Sequence, residues 1–109
     1  MAYTYKVLAQ SAPSATTNTD VYTVGSGKQA IVSTITVANR SATARTYRIA
    51  IRPAGATLAN QHYIAYDVTV AANDTTPLTI GVTLTATDVI TVYASTADLS
   101  FGIFGSEIS

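Results

Sequence analysis

The chain has 109 residues, with six basic and six acidic side chains and a formal net charge of zero, so nothing in its overall charge draws it toward nucleic acid or membrane. It contains no cysteine, which excludes a disulfide framework and thiolate chemistry. Hydrophobic residues make up 48% and charged residues 11%, against about 25% charged in an ordinary soluble domain; wholesale disorder is excluded, and a surface rich in Thr, Ser and Asn is poorly guarded against association.

Period-two alternation of apolar and polar residues recurs along the chain, and helical periodicity is absent. Residues 1–10 alternate in polarity around a single lysine, which does not read as a signal peptide. No apolar segment reaches the roughly 18 residues that span a bilayer as a helix. Tyr3 to Ala9 is the first predicted strand, and residues 1–20 are expected to form a partly extended N-terminal arm of a single domain covering residues 1–109. Ser11 to Asp20 is a polar connection, followed by a strand from Val21 to Val24 and a turn at Gly25-Ser26-Gly27, residues that tolerate positive φ. Gln29 to Ala38 carries apolar residues on both faces (Ile31, Val32, Ile35, Val37), as a central strand does.

After a polar break at Asn39 to Ala42, Tyr47, Ile49 and Ile51 alternate with Thr46, Arg48, Ala50 and Arg52. Pro53-Ala54-Gly55 ends that strand and opens the longest loop, with room for one helical turn before Gln61. Ile64, Tyr66, Val68 and Val70 are expected on the core face of the next strand, opposed by Tyr63, Ala65, Asp67 and Thr69. Asn73 and Asp74 mark a turn. Leu78, Ile80, Val82 and Leu84 then alternate with Thr79, Gly81, Thr83 and Thr85, one face apolar and the other nearly pure Thr. Pro77 suits an edge strand or a bulge. Asp88 to Ala94 and a set formed by Leu99, Phe101 and Ile103 complete about eight strands. The expected fold is all-β: a two-sheet antiparallel sandwich, jelly-roll-like, with a seven-stranded immunoglobulin-like sandwich as the alternative.

No catalytic constellation emerges. The single histidine, His62, stands five residues before Asp67, and residues five apart on a straight strand face opposite sides. One His, no Cys and scattered carboxylates leave no metal set. Gly25-Ser26-Gly27-Lys28 lacks the spacing and the following helix of a phosphate loop, and Asn39-Arg40-Ser41 matches the glycosylation acceptor pattern by chance. Asp74 and Asp88 occupy turn-cap positions.

Arg40, Arg45, Arg48 and Arg52 are four of the six basic residues. Arg48 and Arg52 share one outward strand face roughly 13 Å apart, and are read as candidate interface residues facing an acidic protein. Tyr63 and Tyr66 are expected on opposite faces of their strand, so at least one leaves the core; Tyr63 is the third candidate, because tyrosine anchors interfaces.

The segments Thr19 to Val24, Gly25 to Val32, Ile35 to Arg40, Tyr47 to Gly55, His62 to Asp67, Asn73 to Thr75, Thr87 to Tyr93 and Phe104 to Glu107 resemble small structural proteins of tailed bacteriophages. The resemblance implies a non-enzymatic β-sandwich of the virion without a cofactor. Its role is then capsid decoration or cement, made in the host cytoplasm and bound to the major capsid protein or other virion proteins; the alternative is a tail, neck or baseplate component that binds a receptor or carbohydrate. A homo-oligomer is expected, a trimer ahead of other states, with neither nucleic acid nor membrane as partner.

Overall fold

The structure, a computed structural model, describes residues 2–109. Eight strands follow one another: β1 (Tyr3–Ser11), β2 (Thr19–Thr23), β3 (Gln29–Asn39), β4 (Arg45–Arg52), β5 (Tyr63–Val70), β6 (Thr75–Thr85), β7 (Val89–Ala94) and β8 (Leu99–Ile108). The loop between β4 and β5 holds two 3-10 turns, Pro53–Gly55 and Asn60–His62, one more than the sequence suggests.

The strands form two four-stranded sheets, ordered β1-β8-β3-β6 and β2-β7-β4-β5, and every pairing is antiparallel. Within them β1 pairs with β8, β2 with β7, β3 with β6 and β4 with β5. The chain is therefore one long hairpin folded double and rolled into a sandwich, which is the jelly roll. This order sets aside the immunoglobulin-like alternative, whose seven strands divide differently between the sheets. The ladder is closed at its outer end by Ala2 and Ser109, whose backbones exchange hydrogen bonds of 2.9 and 3.0 Å.

The expected N-terminal arm is corrected: Tyr3 to Ser11 is hydrogen-bonded along β8, and Thr19-Asp20 already begins β2. Met1 lies outside the described residues. The first sheet is the longer, with strands of 9 to 11 residues against 5 to 8 in the second.

The core fills the space between the sheets, and mainly β-branched side chains line it. Val32, Ile35 and Val37 of β3 meet Ile49 of β4, Ile90 and Val92 of β7, and Leu99, Phe101 and Ile103 of β8, all fully or nearly fully buried. Leu78, Ile80 and Val82 pack against this cluster while Thr79, Gly81, Thr83 and Thr85 are exposed, as their alternation requires. Tyr47 is buried with its ring edge-on to Phe101 at 6.2 Å; among the described residues its hydroxyl is the one buried side-chain polar atom without a hydrogen bond. Asn39 is the opposite case. Buried at the end of β3, it donates from Nδ2 to the carbonyls of Thr43, Val70 and Ala71, and its Oδ1 accepts from the amide and hydroxyl of Ser41. The side chain that matches a glycosylation acceptor is thus a clamp that holds the β3–β4 and β5–β6 loops together.

β5 departs from its predicted facing. Its register against β4 shifts between Tyr47 and Ile49 and again before Ala50, and Asp67 takes a left-handed conformation, φ 52°. One extra residue in a strand reverses the facing beyond it. Val70 stays in the core, Ala65 turns inward, and Ile64 and Tyr66, predicted inward, are exposed.

Candidate interaction surface

The bulge in β5 assembles a cluster on the outer face of the second sheet. Tyr47 and Ile49 point into the core, so Arg48 between them points out. Its cross-strand partner on β7 is Tyr93, and Tyr66 reaches over from β5. The guanidinium lies between these two rings, 4.2 Å from the Tyr66 centroid and 4.3 Å from that of Tyr93. Asp67 completes the arrangement, accepting from Nε at 2.7 Å and from Nη2 at 3.4 Å. A cation between two ring faces gains from both quadrupoles, and the two-pronged carboxylate fixes its plane. The hydrogen bond to Asp67 raises the Arg48 pKa above its already high ordinary value.

Tyr63 joins the same cluster. A straight strand sends Tyr63 and Tyr66 to opposite faces; the irregular register instead brings their rings edge-to-face at 4.9 Å. The expectation of opposite facing is corrected, and the choice of Tyr63 as a surface aromatic places it beside the cluster's centre.

Arg52, two steps along the same face, does different work. Its guanidinium donates to the carbonyls of Gly55 and Ala56, to Asp20 Oδ1 at 2.7 Å and to the Thr91 hydroxyl. It ties the first 3-10 turn to β2 and β7. Both arginines are therefore matched by carboxylates of their own chain, Asp67 and Asp20, and the face is polar and neutral. The basic stripe facing an acidic partner, expected from the sequence, is corrected on this point. Arg45 likewise pairs with Asp98, and Arg40 binds Ser100 and the Ala97 carbonyl.

His62 closes a turn, its Nδ1 accepting from the Ala59 amide at 3.0 Å, while Asp67 is engaged by Arg48. Asp74 and Asp88 cap turns as expected: Asp74 accepts from the Thr75 amide and Asp88 from those of Ala54 and Thr85. Among the described residues no group of three or more His, Cys, Asp or Glu side chains converges as a metal site.

Sequence reasoning missed Tyr66, Tyr93 and Asp67 as one unit with Arg48. The one local signal was Asp67, since Asp tolerates the left-handed backbone a bulge needs. A second cluster was also missed. Glu107 at the end of β8 accepts from the Tyr22 hydroxyl at 2.6 Å and from Lys6 at 3.1 Å, linking the two sheets at the corner where β1 and β2 meet. Burial, then the Glu107 hydrogen bond, raise the Tyr22 pKa well above 10.0. The bonds from Tyr22 and Lys6 lower that of Glu107 below its ordinary 4.5.

In comparisons with known proteins, no family model, no curated protein and no solved structure matches the chain.

Proposed function

We propose that the chain is a non-enzymatic structural protein of a bacteriophage virion, a decoration or cement protein that binds the assembled shell through the outer face of the β2-β7-β4-β5 sheet. The observation that carries this reading is Arg48 held between Tyr66 and Tyr93. Arg and Tyr supply a large share of the binding energy at protein interfaces. Here the rings and Asp67 already fix the guanidinium, so little side-chain freedom remains to be lost on docking. The neutral, aromatic face suits a broad protein surface. The identity of that surface, the major capsid protein or a neighbouring virion protein, follows from the resemblance of the strand-and-turn segments to small proteins of tailed phages. Attachment at several subunits of a shell would add avidity to individually weak contacts.

Cosedimentation of the purified chain with shells that lack it tests the reading. Tyr66 is 56% exposed, so Tyr66→Ala leaves the fold intact; its expected loss of about 2 kcal/mol weakens shell binding about 30-fold. Wild-type affinity in this variant removes the face from the interface. Labelling confined to the tail tip, with capture on a glycan array, replaces shell binding by the receptor-binding role.

A further inference from the structure

The first sheet ends in an open strand. β1 pairs with β8 on one side and, among the described residues, has no strand on the other. In its first half, Tyr3, Tyr5 and Val7 are 60%, 84% and 47% exposed. Tyr5 lies in register with Ser106, and Ser106 with Ile31, which is 40% exposed. Because Ala30 and Val32 on either side of Ile31 are buried, this row lies on the outer face of the sheet. Four of the seven large exposed hydrophobic residues among those described thus gather at one corner.

Natural edge strands are blunted by proline, by charges along the edge or pointing inward, and by bulges. β1 has no proline, and its one charge, Lys6, faces inward and is tied to Glu107 of its own chain. The bulge between Val7 and Ala9 blunts the second half of the edge, and the outer row of Tyr3, Tyr5 and Val7 ahead of it carries neither charge nor proline.

We propose that β1 pairs antiparallel with β1 of a second copy of this chain, across a twofold axis at Tyr5, joining two first sheets into one of eight strands. The sequence of the strand favours this register. The pleat allows only pairings between residues of the same face. With Tyr5 opposite Tyr5 of the second copy, Tyr3 lies opposite Val7 and Val7 opposite Tyr3, so every outward apolar side chain meets another. On the inner face Lys6 lies opposite Thr4. A shift of two residues toward the C-terminus sets Lys6 against Lys6, and like charges directly opposite are destabilising.

Two copies of Tyr3, Tyr5 and Val7, with the backbone between them, remove on the order of 1,000 Å² from water, the lower bound of a specific interface. The expected dimer is weak, with a Kd on the order of 10 µM. An isologous contact of this kind closes at two copies, where the sequence favours a trimer. It uses the sheet opposite Arg48 and does not rest on the shell-binding proposal.

Sedimentation equilibrium over a range of concentrations reads the Kd. Tyr5→Lys and Tyr5→Glu should each raise it at least tenfold with unchanged melting temperature, because Tyr5 packs against little within its own chain. Mixing the two variants should restore dimers, because position 5 faces itself. As a second measurement, Tyr5→Cys in this cysteine-free chain should oxidise to a covalent dimer, the paired Cα atoms standing about 4.5 or about 5.5 Å apart, within disulfide reach. A wild-type chain that stays monomeric at several hundred micromolar overturns the proposal. So does a dimer that survives both charged variants, or one that Tyr66→Ala dissolves in their place.

Discussion

At the scale of single residues, Tyr47 and Asn39 show the two ways a buried polar group can stand in a core. The Tyr47 hydroxyl is buried and has no hydrogen-bond partner among the described residues, so burial raises its pKa and its desolvation is uncompensated. Replacing it by hydrogen removes that cost while keeping the ring against Phe101. Tyr47→Phe should leave stability unchanged or raise it by about 1 kcal/mol, read from urea unfolding; a loss of that size would show a partner for the hydroxyl. Asn39 meets five backbone and side-chain groups. Asn39→Ala leaves three carbonyls and the Ser41 groups to find other partners, and should cost about 3 kcal/mol in the same measurement. From the sequence alone Asn39 is a turn residue in a polar break; which carbonyls it gathers depends on loops that meet only after both sheets form.

At the scale of elements, legibility followed regularity. Leu78 to Leu84 alternate without a break, and their facing was readable because one face packs on the core along the whole run. Ile64, Tyr66 and Val68 alternate just as cleanly, yet two register shifts separate them from a straight strand. Periodicity records side-chain spacing and carries no trace of an extra residue in the partner ladder. For the same reason Arg48 and Tyr63 could be chosen from the sequence, and the Tyr66 and Tyr93 rings around the guanidinium could not. Where strands cross closely, the constraint is steric. A Cβ at Gly105 would collide with the Ile31 carbonyl oxygen on β3. Gly105→Ala should therefore force β8 away from β3 and lose at least about 3 kcal/mol, visible as a large drop in melting temperature.

The Lys6–Glu107–Tyr22 link between the sheets makes stability depend on pH at both extremes. Glu107 has a lowered folded pKa, so its contribution is present above 4.5 and is lost as pH falls through the folded value. Tyr22 has a raised one, so its contribution is present below 10.0 and is lost as pH rises toward the folded value. Melting temperatures recorded from about pH 3 to about pH 11 should fall on both limbs. Tyr22→Phe should flatten the alkaline limb, and Glu107→Gln the acid limb; an acid limb unchanged in the latter would assign it to other carboxylates.

At the scale of the whole molecule, eight strand signals and the absence of helical periodicity made the sandwich readable, whereas the strand order did not show. Nothing local tells β1 that its partner lies at the other end of the chain. The fold measures 45 × 28 × 20 Å, and most of its pairings join residues distant in sequence. Such topologies fold slowly, in milliseconds to seconds, and stopped-flow refolding should fall in that range.

The Ala2–Ser109 bonds give this nesting a symmetry of its own. A chain cut between Thr57 and Leu58 and joined at its present ends by a short Gly-Ser linker runs β5-β6-β7-β8-β1-β2-β3-β4. The pairs are unchanged and still nested; only the hairpin's tip has moved, from the β4–β5 turn to the new β8–β1 junction. Such a circular permutant should reach the same folded state from the opposite end, with the first-formed and last-formed ladders exchanged. Any segment that continues from either present end leaves the sandwich at one corner.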